Sequence, residues 1–481
     1  MSLTPTPELE PMTDIELAAV AAQPESSPPN VDQQERAAAQ EPLLQAGTAF
    51  RPVKVLDLDL EQPLVDLDGL YGYGAVQLLV RLHGIPLGYA RLPLTNGRVS
   101  ATALRKGVLA EVQVRAVRHL LNDYLGVAHT SGPGSARQLV GVAHPQDDLA
   151  LPSVTVAVCT RDRTEVLERC LRAIEKIDYP GLEVLVVDNA PATDATRRLV
   201  AEQFPQLRYV VEPLPGLDRA RNRAISESGN DIVAFTDDDV VVDPLWVGAL
   251  ARPFAESDRV MCVTGLVVAY ELETEAQVLF EKYGGFGRGF DRHWYTVDPD
   301  IRETLPPHVG AGRFGTGANM AYRRCVFEEI GQFDPALDVG TVTNGGGDLE
   351  MFFRLLEEGH TLVYEPAAIV RHGHRREYAA LRTQLANNGI GFYSMLVRSA
   401  IAYPIRRRAI VRLGLWWLWH WSFRRLLISF LRPGRFPRDL ILAELKGSIV
   451  GVARYQRSRR QAARLDRGRR PSKQPAAPGA T

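Results

Sequence analysis

Residues 152–190, PSVTVAVCTRDRTEVLERCLRAIEKIDYPGLEVLVVDNA, decide the fold. Pro152 to Thr160 is an almost unbroken apolar, β-branched run, as a strand buried on both faces of a parallel sheet requires. The following RTEVLERCLRAIEKI places Val166, Leu167, Cys170, Leu171 and Ile174 on one helical face. Asp162, three residues before Glu165, has capping-box spacing. LEVLVVDNA then returns to a buried strand. Strand, helix, strand in this order predicts a parallel crossover unit.

The pattern continues outward. ATRRLVAEQF (195–204) and LDRARNRAISES (217–228) read as helices, LRYVVEP (207–213) and DIVAFTDDD (231–239) as strands. The fold class is therefore α/β, a mostly parallel sheet with helices on both faces. Ligands of such sheets sit at the carboxyl ends of the strands. Thr160-Arg161-Asp162, Asp188-Asn189 and Asp237-Asp238-Asp239 all end strands, so the three polar clusters are expected to converge on one crevice. Three adjacent aspartates fit either a helix N-cap or a cation site, because a divalent ion turns their repulsion into attraction. The stretch alone leaves both open. Asp243, before Pro244, is expected to start the next helix.

The 481 residues exceed one ordinary domain, and their 45% hydrophobic and 23% charged content is that of a globular protein. A net charge of −1 conceals an asymmetry. Residues 1–50 carry eight acids against one arginine, whereas residues 401–481 carry 19 Lys/Arg against three acids. Such a basic end expects an anionic partner. Residues 1–50 are rich in Pro, Glu, Gln, Ala and Ser and read as disordered. Residues 51–148 read as a small α+β accessory domain. VKVLDLDL (53–60) alternates, AVQLLVRLHGIPLGYARLPL (75–94) suits two strands joined at HGIPLG, and LAEVQVRAVRHLLNDYL (109–125) has helical spacing. No chemistry is recognisable in it, and HTSGPGS and AHPQDD form the linker after it. Cys159, Cys170, Cys262 and Cys325 lack metal-ligand spacing. Cys159 and Cys170 are expected to be buried thiols, which suits a reducing cytosol. No secretion-signal pattern opens the sequence.

Read in order, VAVCTRDR, VLVVDNA, GLDRARNRAI, FTDDD, GTGANMAYRR, GGGDLEMFFRLLEEGH and VRHGHR resemble the family 2 glycosyltransferases of GT-A fold, from about Val154 to about Arg376. The catalytic domain is assigned to 152–400. The resemblance implies inverting transfer of a sugar from a nucleotide-sugar donor to a hydroxyl acceptor, a glycan, glycolipid or polysaccharide, with Mn2+ or Mg2+ as cofactor. Within the Asp-x-Asp pattern, Asp237 corresponds to a donor contact and Asp239 to a metal ligand, leaving Asp238 a bystander. Asp188 corresponds to the base contact, or it caps the next helix, with Asn189 its partner in the turn. Thr160 and Arg163 correspond to the nucleotide grip, although Arg163 also suits a solvated helix start. Arg221 and Asn222 correspond to donor contacts, with Arg219 and Arg223 surplus. Asn319 corresponds to a sugar contact.

An inverting reaction needs a general base, and Asp348 matches that position, with Gly345-Gly346-Gly347 giving the backbone room to approach substrate. The family often has Glu before this Asp, where this chain has Gly347. Glu350 corresponds to an acceptor contact or a loop support. His372 and His374, on one side of a strand, offer a metal ligand. His372 is favoured, and an ordinary pair of histidines is the alternative.

LGLWWLWHWSFRRLLISFL (413–431) holds four of the six tryptophans, interrupted by His420, Arg424 and Arg425. It reads as a helix on an anionic membrane surface, or else as a core helix on the catalytic domain. RYQRSRRQAARLDRGRRPSK (454–473) reads as a disordered or partly helical extension, and no nucleic-acid-binding fold accompanies it. The chain is expected at the cytoplasmic face of the cell membrane. A nucleotidyltransferase would need a glycine-rich phosphate loop where CTRDRTE has no glycine. A non-catalytic nucleotide-sugar-binding or scaffold protein is the other alternative. Specificity is expected in the segment 268–312.

Overall fold

A computed structural model of the protein describes residues 50–124, 150–297, 312–432 and 436–468. The acidic segment 1–49, the linker after Tyr124, residues 298–311 and the last residues of the basic tail lie outside them. All elements below belong to one compact unit, Ala46–Thr481. Its first sheet joins β1 (Val53–Asp59), β2 (Ala75–Leu82) and β3 (Ile85–Pro93), and α1 (Ala101–Tyr124) packs on it. β1 runs parallel to β2, and β2 and β3 form a hairpin whose turn, His83-Gly84, has φ of 51° and 76°. This sheet is not free-standing. Leu79 shares an apolar cluster with Leu266, Val268 and Ile369 of the large sheet.

The large sheet starts with the expected series: β4 (Val154–Thr160), α2 (Thr164–Ile174), β5 (Leu182–Asn189), α3 (Ala195–Gln203), β6 (Arg208–Glu212), α4 (Leu217–Glu227) and β7 (Ile232–Asp237). All three strand pairings among them are parallel. Alternation along β4 explains the two helical layers. Val154, Val156 and Val158 meet Leu167 and Leu171 of α2, while Ala157 and Cys159 meet Ala220 and Ala224 of α4. Cys159 and Cys170 are buried free thiols, as expected.

Beyond β7 the sheet becomes mixed. β8 (Val240–Val242), α5 (Trp246–Glu256), β9 (Val260–Ala269), α6 (Glu275–Tyr283), β10 (His293–Tyr295), β11 (Asn319–Arg323), α7 (Val326–Ile330), α8 (Gly347–Glu357) and β12 (Thr361–His372) follow. The order is β10-β12-β9-β11-β7-β4-β5-β6, with β8 on β12. β11 is antiparallel to both β7 and β9. The sequence reading predicted only the parallel half.

Two helix starts differ from expectation. α2 has no side-chain cap, because Asp162 (φ 52°) instead accepts the Ala192 N–H at 2.9 Å and braces the loop after β5. α5 begins only at Trp246, and Asp243 is held by Arg81 at 2.6 Å and Arg371 at 3.4 Å.

The basic end is helical: α9 (Tyr378–Ala402), α10 (Arg407–Trp417), a π-turn over 418–423, α11 (Arg424–Leu431) and α12 (Arg438–Gly468). α12 lies directly against α9, since a Cβ at Gly447 would come within 2.1 Å of the Ala386 carbonyl. The segment expected as a disordered or partly helical extension is helical to Gly468. It is docked, with Arg219 paired to Asp466 at 2.7 Å and Tyr455 bonded to Asp334 at 2.9 Å. Arg219 is therefore not surplus. The tryptophans divide. Trp417 packs on Phe392, and Trp421 donates to Glu444 at 2.9 Å, while Trp416 and Trp419 face outward. Among the described residues no helix is long and apolar enough to cross a membrane.

Candidate active site

Strand ends build the site. β7 finishes at Asp237, and the turn through Asp238 and Asp239 leads into β8, which pairs antiparallel with the end of β12, Val240 opposite His372. The Gly373 N–H donates to the Asp239 carbonyl at 3.0 Å. This register sets the His372 Nε2 3.4 Å from Asp239. Ligand atoms of Asp237, Asp239 and His372 lie within 4.8 Å of one another, so the three side chains could hold one ion. His374 stands behind, its Nδ1 3.2 Å from the His372 Nδ1 and its Nε2 2.8 Å from Glu281. Of the two histidines, His372 faces the carboxylates and His374 orients it, as outer-shell partners do.

Charge in this cluster is unbalanced. Burial pushes the Asp237 carboxyl up to about 7, against the pull of Arg221 and with the push of Asp239, Asp238 and Asp348. Its side chain is still 31% exposed, so an ion or ligand can reach it. Burial likewise raises Asp238 to about 6. At Asp239, burial is outweighed by His372 and Arg163, which hold the carboxyl below its usual range. Arg163, charged at every relevant pH, carries that effect, because burial pushes His372 down to about 4 and leaves it neutral. A neutral imidazole beside crowded carboxylates is a donor set for a hard or borderline divalent cation.

Asp238 is no bystander. It accepts the Thr160 hydroxyl at 2.8 Å and Arg163 at 2.6 Å, while the same guanidinium reaches Asp239 at 2.9 Å. Thr160 and Arg163, expected to grip a nucleotide, are thus committed to fixing the acidic turn. Asp188, at the end of β5, is buried, and its Oδ2 accepts the Tyr209 hydroxyl at 2.7 Å. Its Oδ1 has no hydrogen-bond partner of normal geometry, and burial raises its pKa. Asn189 is the expected partner in the turn, bonding the Gly216 N–H and the Leu214 carbonyl, both at 2.8 Å.

A second cluster adjoins the first through Arg221. Its guanidinium pairs with Asp218 at 3.0 Å and lies 3.9 Å from Asp237. Surrounding carboxylates, Asp218, Asp237 and Asp348, outweigh burial and keep it charged. Asp348, at the start of α8, accepts the Gly317 N–H at 2.8 Å, and Gly317 itself threads between Asp348 and Arg221.

Three expected contacts point elsewhere. Asn222 spends its amide on the backbone of Phe333, donating and accepting at 2.9 Å. Asn319 is wholly buried, accepting from Trp246 at 2.8 Å and donating to the Leu266 and Ala368 carbonyls. Glu350 is wholly buried between Arg354 and Arg398, so it supports α8 rather than facing an acceptor. The triple glycine also serves packing. A Cβ at Gly346 would approach the Gly391 carbonyl to 2.5 Å, and one at Gly347 would approach Asp218 Oδ2 to 1.8 Å. Sequence reasoning missed Asp218 and Asp338. Asp338 accepts the Asp218 N–H at 2.9 Å and so caps α4 from a residue 120 positions away. No local signal marks that pairing.

Residues 155–331 match glycosyl transferase family 2. Over 245 residues the chain is 26% identical to a pre-mycofactocin glycosyltransferase of Mycobacterium tuberculosis, covering 49% of this chain and 46% of that one. It is 24% identical over 237 residues to a glucosyl-dolichyl phosphate glucuronosyltransferase of Haloferax volcanii, covering 46% and 68%. The chain thus spans about half the length of the first relative, 46%. Among solved structures, a mannosyltransferase of Pyrobaculum calidifontis in complex with GDP-Man and Mn2+ aligns with a TM-score of 0.39 and 21% identity, over 66% of this chain and 88% of that one. The matched span includes Thr160, Arg163, Asp188, Asp218, Arg221 and Asp237-Asp238-Asp239, and ends before Asp338, Asp348, Glu350, His372 and His374.

Proposed function

We propose that the chain is a metal-assisted, inverting glycosyltransferase that moves a sugar from a nucleoside-diphosphate donor to a hydroxyl of a glycan or lipid-linked acceptor. One observation carries this reading: Asp237, Asp239 and His372 converge within 4.8 Å, beside the Arg221–Asp348 cluster. Asp237, Asp239 and His372 hold Mn2+ or Mg2+. When bound, the ion neutralises charge that develops on the diphosphate as its bond to the sugar breaks. Arg163 and Thr160 fix the acidic turn, and His374 with Glu281 orients the His372 ring. Asp188 offers its Oδ1 to the nucleotide base, and Arg221 places a fixed positive charge beside the donor. Asp348 takes the acceptor proton, aimed by the Gly317 N–H. The curated relatives are named for different acceptors, so they support the transfer chemistry and leave the acceptor to experiment.

The test is thermal stabilisation by a panel of UDP-, GDP- and dTDP-sugars. At least one should stabilise the protein with Mn2+ and lose its effect in EDTA. Stabilisation by none, with or without metal, contradicts the reading. The raised Asp237 pKa gives a pH dependence. The carboxyl must lose its proton to bind the ion, so Mn2+ affinity falls as pH drops through about 7. Titration calorimetry should find affinity about tenfold weaker at pH 6 than at pH 8, with proton release. Equal affinity at both would place the ion elsewhere.

The same proposal puts the chain at the inner face of the cell membrane as a peripheral protein. Trp419, Phe423, Leu427, Phe430 and Leu431 are exposed, Leu431 at 73%, among the exposed Arg407, Arg408, Arg412 and Arg424. Burying one such side chain is worth about 1.5–3 kcal/mol. Trp419→Glu with Leu427→Glu should therefore lower partitioning to anionic vesicles at least about tenfold in sedimentation. Unchanged partitioning, or none by the wild type, would leave the helices a packing feature.

A further inference from the structure

The N-terminal sheet, in which the sequence offered no chemistry, carries a second convergence of ligand atoms. His83 occupies the β2–β3 turn, and His119 and Asp123 are one helical turn apart on α1. The His83 Nδ1 lies 2.8 Å from Asp123 Oδ2. The His119 Nε2 lies 3.2 Å from that nitrogen and 3.2 Å from the same carboxylate oxygen. The three atoms form a nearly equilateral triangle.

No arrangement of protons on two neutral imidazoles makes all three edges hydrogen bonds. If both rings donate to Asp123, the 3.2 Å edge carries no hydrogen bond and brings two like N–H dipoles side by side. If one ring turns its lone pair inward, that lone pair faces the carboxylate oxygen. A cation satisfies all three lone pairs at once. Ligands around a tetrahedral ion with bonds of ~2.0–2.1 Å stand roughly 3.3 Å apart, near the observed edges.

We infer that His83, His119 and Asp123 form a transition-metal site of the Zn2+ class, with its fourth position open to water. Two imidazoles and one carboxylate favour Zn2+ and its neighbours, whereas the two carboxylates and one imidazole at Asp237, Asp239 and His372 suit Mn2+ or Mg2+. The His83 side chain is 44% exposed, so an ion can enter from solvent, while His119 is 9% exposed and anchors the inner side. The ion clips the hairpin tip to α1. The tip also touches the loop after β8, since a Cβ at Gly84 would lie 2.9 Å from Leu245. The clip therefore braces the N-terminal sheet beside the segment that leads out of the acidic turn. It stands independently of the sugar-transfer reading.

The experiment titrates Co2+ into the chelator-stripped full chain carrying Asp239→Asn, with and without His83→Asn. Asparagine keeps the left-handed turn and is a poorer ligand. The single variant should bind one Co2+ with the visible absorption of a four-coordinate ion. Adding His83→Asn should weaken that binding at least about a hundredfold and abolish the absorption, with the unfolding temperature in EDTA unchanged. If His83→Asn fails to fold, Asp123→Asn supplies the same comparison. Identical Co2+ stoichiometry and spectrum in both chains, or no Co2+ bound by either, overturns the site.

Discussion

Asp348→Asn is expected to lower sugar transfer by about 10²–10⁴-fold while Mn2+ and donor binding stay near wild type. The side chain begins α8, and its Oδ2 is aimed by the Gly317 N–H at 2.8 Å. Asparagine keeps an oxygen to accept that bond and almost the same volume, so the loop should hold. It cannot take a proton from the acceptor hydroxyl. Steady-state kinetics should therefore show kcat falling with little change in the donor KM, and the remaining activity should lose its dependence on a general base. Wild-type kcat in this variant would remove Asp348 from the chemistry and revive the non-catalytic alternative.

Gly347→Glu, which places the acid that the family often has before its catalytic Asp, is expected to inactivate and destabilise the protein. A Cβ at residue 347 would lie 1.8 Å from the Asp218 carboxylate. Asp218 is itself buried, with an unpartnered Oδ2, and burial and Asp338 hold its pKa well above the carboxylate range. Overpacking costs about 1–3 kcal/mol and an added unpaired buried charge several more. A drop in unfolding temperature of about 10 °C or more should accompany the loss of activity. Asp218→Gly in the same chain should recover part of the stability by emptying the space. A stable, active Gly347→Glu variant would mean that Asp218 does not occupy that place in solution.

The parallel half of the sheet was legible because buried parallel strands are apolar throughout and their helices keep a clear 3.6-residue face. The convergence of Thr160, Asp188 and Asp237 follows from that half alone, since each ends a strand. What lay beyond reach was the direction of polar side chains inside the motif segments. Asn319, Asn222 and Glu350 sit where a ligand contact was expected, yet each is held by backbone or arginine partners from distant elements. Whether Asn319 meets a sugar or Trp246 depends on β11 entering antiparallel between β7 and β9, which no local period encodes. Asp338 and Asp218 meet across 120 residues, and His83 meets His119 only once the hairpin lies on α1. The docking of the basic tail was out of reach for a related reason. Its arginine-rich composition reads as a disordered or partly helical extension and names no partner, whereas Gly447 lets α12 pack on α9 and carry Asp466 to Arg219.

The central claim is that the ion site formed by Asp237, Asp239 and His372 supports sugar transfer. Release of nucleoside diphosphate from the donor that stabilises the protein best, followed with Mn2+ and with EDTA, tests it most directly. The account predicts release that requires the metal, persists in His374→Ala at reduced metal affinity, and disappears in Asp239→Asn. Release that continues in EDTA, or that survives Asp239→Asn at the wild-type rate, would contradict it.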